Sequence, residues 1–431
     1  MLASPISPSA TLARCLPPFG GLPSPLAPVA VAIPAADMTS QAAETGVSLA
    51  ALPVELISRI LETSLQAYHQ NEVEQALARL LSVSHGLRNV ALSTPSLWTD
   101  LRVTDSGVRE STLQHLQRSG VLPLDVTITV TCRNHRALPC KEGVAVLMES
   151  LASLRPSMSR WRTLEFNLPS CWLTQEALST CGAALRNLEV LTVRTGHSDR
   201  GDYATPLPSV LVHMPRLRAI NFHWYNFRWV EPACLAGVTR LRLANYYMDD
   251  PSLVPELLEM LRACPNLEHL ELDTIAERWV PRLSHPPAFA PVDLPRLKSI
   301  SFTDCGQEKA QVLLRDIRCP NVTSINLRLV GNINGILDVL TSQSHSWEQV
   351  TDFSIAICEF RAALLMGLLK RMPSLRKLEI TNCSQMNKTL SELVALAETI
   401  TAGQDDYVEA TIVEGKQFST LCLPFSQDNV Q

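Results

Sequence analysis

From Trp161 onward the chain repeats one pattern: apolar, two variable, apolar, one polar, apolar. It appears as "WRTLEF" (Trp161, Leu164, Phe166), "LEVLTV" (Leu188, Leu191, Val193) and "LRAINF" (Leu217, Ile220, Phe222). It continues as "VTRLRL" (Leu241, Leu243), "LEHLEL" (Leu270, Leu272) and "LKSISF" (Ile300, Phe302). The last copies are "VTSINL" (Ile325, Leu327), "VTDFSI" (Phe353, Ile355) and "LRKLEI" (Leu378, Ile380). The first strand positions fall at 164, 191, 220, 241, 270, 300, 325, 353 and 378, in steps of 21 to 30 residues. Alternation within each copy predicts a short strand with one buried face.

Between the strands, apolar positions recur at helical spacing. "PSLVPELLEMLRACPN" places Leu253, Leu257, Leu258 and Leu261 on one face, and "QEKAQVLLRDIRCPN" places Val312, Leu313 and Ile317. "RAALLMGLLKRMP" does the same with Leu364, Leu365, Leu368 and Leu369. Each ends in Cys-Pro or Met-Pro, and the residue before proline is pushed out of the helical region. A unit this small cannot bury its apolar face alone, but a stack of such units makes one continuous core.

The period and pattern resemble leucine-rich repeats. Three copies complete the form L-x-x-L-x-L-x-x-C: Leu297–Cys305, Val350–Cys358 and Leu375–Cys383. The resemblance gives these cysteines an inward structural role at the turn out of the strand. The other six copies have different residues there, Tyr225 and Tyr246 among them, so the array is irregular. The fold class expected is α/β: a small helical module followed by an irregular solenoid, with parallel strands on its concave face and helices on its convex face.

The small helical module is "ALPVELISRILETSLQ", with further helical stretches at about 74–83 and 84–92. Pro53 suits a first helical turn and Glu55 the positive helix start. Leu52-Pro53-x-Glu55-Leu56, then Ile60, Leu80, Val83, Val90-Ala91 and "TPSLW" (Thr94–Trp98) resemble an F-box. The run of "SLWTDLRV" into "LQRSGVLPLDVTI" is similar to fungal F-box proteins with leucine-rich arrays. That resemblance implies docking to a Skp-family adaptor, and through it to a cullin–RING ubiquitin ligase. By position, Leu52, Pro53, Leu56, Ile57, Ile60, Leu80 and Val83 would line or support the adaptor interface. One departure is Leu87, which stands where family members carry a tryptophan. A cytoplasmic or nuclear location accompanies such a role.

The organisation expected is therefore a Pro/Ala/Ser-rich disordered tail over 1–48, the F-box-like module over 49–103 and a connecting cap over 104–160. The solenoid follows over 161–400 and a C-terminal tail over 401–431.

Composition narrows the chemistry. With 46% apolar and 18% charged residues, a large core is within reach. The formal net charge of −5 draws the chain to neither nucleic acid nor anionic membrane. No segment supplies the ~18 uninterrupted apolar residues of a membrane span. The twelve cysteines are scattered and form no CxxC, so they are expected as reduced thiols. "CRNHRALPC" (Cys132, His135, Cys140) matches no tetrahedral zinc spacing, and no metal or cofactor is expected. The sequons at Asn321, Asn382 and Asn387 are read as chance triplets. No phosphate loop, zinc-protease or nucleophile-elbow motif occurs, so catalysis is not expected.

Recognition of a target protein is expected on strand positions that alternate with the core. The aromatic run "NFHWYNFRWV" supplies candidates in a chain only 5% aromatic. The target-binding set is Asn221, His223, Trp224, Tyr225, Arg228 and Trp229, joined by Arg242 and Glu271 from later strands. The alternative is an adaptor-independent repeat scaffold whose N-terminal helices serve only as a cap.

Overall fold

The computed structural model describes residues 52–68, 72–131, 141–196, 205–206, 211, 214–225, 227–228, 235–245, 253–274, 290–343, 347–383, 391, 407–414 and 417–424. The chain divides into a unit over Met1–Val54 and a unit over Glu55–Gln431. The tail expected over 1–48 and the Cys132-His135-Cys140 group lie outside the described residues.

In chain order the first elements are α1 (Val54–Gln66), α2 (Val73–Val83), α3 (His85–Ser93), β1 (Asp100–Val103), α4 (Glu110–Arg118), β2 (Leu124–Thr129) and α5 (Lys141–Leu154). Next come β3 (Trp161–Leu168), α6 (Cys171–Cys181), β4 (Val190–Thr195), β5 (Thr205–Pro206), β6 (Ala219–His223), β7 (Phe227–Arg228) and β8 (Arg240–Ala244). Then follow α7 (Leu253–Arg262), β9 (His269–Asp273), β10 (Val292–Asp293), β11 (Ser299–Thr303), α8 (Gln307–Asp316), β12 (Ile317–Arg318) and β13 (Ser324–Asn332). The last are α9 (Asn334–Ser342), β14 (Asp352–Glu359), α10 (Ala362–Leu369), β15 (Lys377–Thr381), β16 (Tyr407–Glu414) and β17 (Gln417–Pro424).

Thirteen strands form one sheet in the order β1-β2-β3-β4-β6-β8-β9-β11-β13-β14-β15-β16-β17. Every pairing in it is parallel except β16 with β17. Consecutive units therefore lie side by side, a solenoid-like α/β arrangement. The nine register positions read from the sequence form one unbroken row: Leu164, Leu191, Ile220, Leu241, Leu270, Ile300, Ile325, Phe353 and Leu378. All nine are buried. The sheet is wider than the repeat pattern: Leu101 of β1 and Val126 of β2 extend the row ahead of Leu164. Ala410 of β16 extends it past Leu378.

The helices pack as a second layer in which α5 meets α6, and α7 through α10 meet in sequence. Their expected apolar faces are buried, as Leu257, Leu258 and Leu261 show in α7 and Leu365, Leu368 and Leu369 in α10. The Cys-Pro and Met-Pro stops lie just beyond the helices. There Cys264, Cys319 and Met372 plug the core between helix and next strand.

From β6 to β15 the strands of the large sheet repeat one device at their exits. The residue ahead of the inward position adopts a left-handed conformation at Trp224, Asn245, Thr274, Asp304, Leu329, Ile357 and Asn382. For most side chains this conformation is costly. Its return is an additional ladder bond, as in the N–H of Asp304 donating to the Arg328 carbonyl at 2.8 Å and that of Trp224 to Ala244 at 2.9 Å. The next residue is turned inward at Tyr225, Cys305, Val330, Cys358 and Cys383. Cys305 donates its thiol to the Leu272 carbonyl at 3.3 Å, Cys358 to Leu327 at 3.6 Å and Cys383 to Ile355 at 3.6 Å.

Burial pushes the Cys358 thiol up to about 11 and raises that of Cys383. The seven described cysteines are buried thiols. They should resist iodoacetamide at mildly alkaline pH in the folded protein and react fully in denaturant. Native-state labelling of Cys358, read by mass spectrometry, would contradict this placement.

Candidate interaction surfaces

The helical module presents one apolar stripe inward and another to solvent. In α1, Ile57, Leu61 and Leu65 recur every four residues and are buried. Leu56 and Ile60 lie on a flank roughly 60–100° around the helix and remain 49% and 43% exposed. In α2, Ala76 and Leu77 are buried, Leu80 is half-buried and Val83 is 66% exposed. Leu52 is half-buried and Pro53 exposed. Of the assigned adaptor residues, then, Leu56, Ile60 and Val83 offer apolar surface, whereas Ile57 holds the module together. Half of the ten exposed large hydrophobics among the described residues fall between Val54 and Val83.

Ser84 breaks α2 from α3: its backbone is extended and its hydroxyl accepts the Leu87 N–H at 3.2 Å, capping α3. Leu87 sits in that first turn, half-buried. The aromatic anchor of the module is Trp98, only 2% exposed. Its indole N–H donates to the Ala91 carbonyl at 2.8 Å, its ring meets His115 edge-on, and the Arg118 guanidinium lies 4.3 Å over it. Trp98 thereby fastens α3 to α4, the helix beside β1.

On the sheet face opposite the helices, the structure gathers four of the expected target-binding residues. Asn221, Arg242 and Glu271 are direct neighbours on β6, β8 and β9. His223 stands one pleat further along β6. Arg242 forms ion pairs with Glu271 at 3.2 Å and with Asp273 at 3.3 Å. On the other side Arg194 pairs with Glu165 at 3.1 Å. All three pairs are partly solvated, and each contributes at most about 1 kcal/mol. Arg194 and Glu165 were not in the expected set, although the alternation along β3 and β4 places both on this face.

Burial, reinforced by the cations of Arg194 and Arg242, pushes His223 down to about 4. It is therefore neutral in this cluster at physiological pH.

Within the aromatic run, Tyr225 departs from the expectation. Tyr225 is 1% exposed and stacks edge-on against buried Phe222, ring centroids 5.1 Å apart. It fills the inward position that cysteine takes in other units, so it belongs to the core and not to a binding surface. Trp224 is half-buried at the strand exit, where its carbonyl accepts Thr195 Oγ1 at 2.5 Å and Cys171 Sγ at 3.5 Å. Arg228 lies on β7, paired with Pro206 of β5. The Arg228 side chain and all of Trp229 lie outside the described residues. No group of metal-ligating side chains and no helix long and apolar enough to cross a membrane occurs among the described residues.

No protein-family model matches the chain, and no curated protein matches it. Among solved structures, a chain of the crystal structure of the Rad7 and Elc1 complex in yeast is similar over 77% of this chain and 90% of that chain. The identity is 12% and the TM-score 0.24.

Two outcomes follow from this geometry. Tyr225→Ala should lower unfolding free energy by about 3–5 kcal/mol, as for other buried aromatic truncations, measured by urea titration; a neutral effect would return Tyr225 to the surface. His223 binds a proton more weakly folded than unfolded, so it withdraws stability as pH falls from 6.5 toward about 4. His223→Gln should flatten the pH dependence of the melting temperature in that window and leave it unchanged above.

Proposed function

We propose that this chain is a substrate-receptor subunit of an SCF-type cullin–RING ubiquitin ligase. Its F-box-like helices dock to a Skp-family adaptor, and its leucine-rich repeats hold a target protein. Covalent chemistry belongs to other subunits, and this chain acts by raising the target's effective concentration.

The carrying observation is the pair Leu56 and Ile60 with Val83, apolar and exposed at positions the F-box resemblance assigns to the adaptor. Fully burying an exposed aliphatic side chain is worth about 1.5–3 kcal/mol, and these three have roughly half of that still to gain. The polar cluster around Arg242 suits the second role, because it offers paired charges on a surface set by rigid strands.

A second reading is favoured by Trp98. An indole so fully committed to joining α3 and α4 is what a helical cap on a repeat scaffold needs, with no adaptor involved.

A pull-down with purified Skp-family adaptor separates the two. Co-purification at micromolar concentration is expected, and it should weaken at least about tenfold in L56D/I60D, since each aspartate would bury a charge. The variant should keep the wild-type melting temperature because both positions are exposed. Absence of co-purification leaves the scaffold reading standing.

A further inference from the structure

The starting ends of the strands form a rim with its own continuous backbone ladder. The residue two before each register position donates its N–H to the carbonyl of its counterpart in the preceding unit. Arg218 donates to Glu189, Thr239 to Arg218, Glu268 to Thr239 and Lys298 to Glu268, each at 2.8 Å. The ladder holds the side chains of this rim at the strand spacing of about 4.8 Å.

From β6 to β11 the rim is basic. Arg216, Arg218, Arg240, Arg296 and Lys298 are exposed. The carboxylate among them is Glu268, which Lys298 already holds at 2.7 Å and whose pKa it lowers. Arg216, Arg240 and Arg296 have no ion pair among the described residues. Arg218 donates one bond, to the Gly237 carbonyl at 3.3 Å. Glu189 bounds the stretch on one side.

We propose that this rim, from Arg216 to Lys298, is a docking strip for a short, extended, carboxylate-rich segment of a protein partner. Four guanidiniums with little else to bind present forks that match carboxylates two bonds at a time. The span from β6 to β11 is three strand steps, about 14 Å. An extended peptide with acidic residues at alternate positions covers it with three carboxylates at about 6.8 Å intervals. The whole chain carries a formal net charge of −5, so gathering these cations here leaves the remainder more negative still. A short acidic segment tolerates such surroundings, whereas a long polyanion such as nucleic acid is repelled beyond the strip. The strip borders the Arg242–Glu271 cluster. It deepens the view that the sheet captures a target, and rests on it only in assigning the segment to that target.

The test is fluorescence anisotropy on the full chain without adaptor. The probes are a labelled peptide of about twelve alternating Glu and Ser residues, its Gln-Ser counterpart and a single-stranded oligonucleotide of equal charge. The wild type should bind the acidic peptide alone, and less tightly as salt rises from about 50 to about 300 mM. R216E/R240E should weaken binding at least about tenfold, while R376E/K377E, at a distant strand, should not. Should R216E/R240E melt at a lower temperature, R216Q/R240Q replaces it, with an intermediate loss expected. Wild-type affinity in R216E/R240E or R216Q/R240Q, no binding of the acidic peptide, or preference for the oligonucleotide overturns the proposal. R216E/R240E should still retain adaptor, so loss of peptide binding is distinct from failure of the adaptor interface.

Discussion

Where one unit of this chain meets the next, a single carbonyl accepts two N–H groups. Glu189 receives Arg218 and Ala219, Arg218 receives Thr239 and Arg240, and Thr239 receives Glu268 and His269. Glu268, Lys298, Thr323 and Thr351 continue the sequence. Register between parallel strands is free in principle, and a slip of one residue would turn every core side chain outward. This junction removes that freedom before the strand begins. Asn187, Asn266 and Asn321 reinforce it, each side-chain amide donating to a carbonyl of the preceding unit at 2.7 Å.

Once register is fixed, chemistry sorts itself into rows. Positions facing the helices form the apolar row from Leu101 to Leu378, positions facing away form the polar cluster around Arg242, and positions at the strand starts form the basic rim. No row is local in sequence: Arg194, His223, Arg242 and Asp273 come from four units and meet because the ladder aligns them. The lowered proton affinity of His223 follows from this alignment, since cations from both neighbouring strands act on a ring already desolvated by them.

How legible each row was depended on how its signal was carried. The core row was visible because alternation and a fixed motif mark it directly, and the motif cysteines were visible because the leucine-rich-repeat resemblance assigns their position inward. β1 and β2 were not counted in the array, although Trp98-Thr-Asp-Leu101-Arg-Val103 has the spacing of the motif and Leu124, Val126 and Ile128 alternate as a strand. Nor were β16 and β17, whose place past β15 is set by hydrogen bonds that no side-chain pattern announces. Tyr225 misled for a specific reason. An aromatic cluster has the composition of a binding hot spot, and composition does not record direction. Only the motif position, one before which Trp224 turns left-handed, shows that Tyr225 points inward. The basic rim was missed because its cations come singly or in pairs two positions apart, Arg216 with Arg218 and Arg296 with Lys298, and these groups are separated along the chain by about 20 to 60 residues.

How the sheet is closed at β1 bears on what the helical module is for. At β1 the free carbonyls are claimed by α4: His115 Nδ1 lies 3.0 Å from the Asp100 carbonyl, and Thr112 donates to that of Arg102 at 3.0 Å. Sealing the sheet is thus already achieved by α4 with Trp98 and Arg118. A cap would need nothing beyond that. Leu56, Ile60 and Val83 contribute nothing to the seal and cost solubility by their exposure. Apolar surface retained at such a cost, on helices the sheet does not require for closure, is the surface the proposed adaptor would cover.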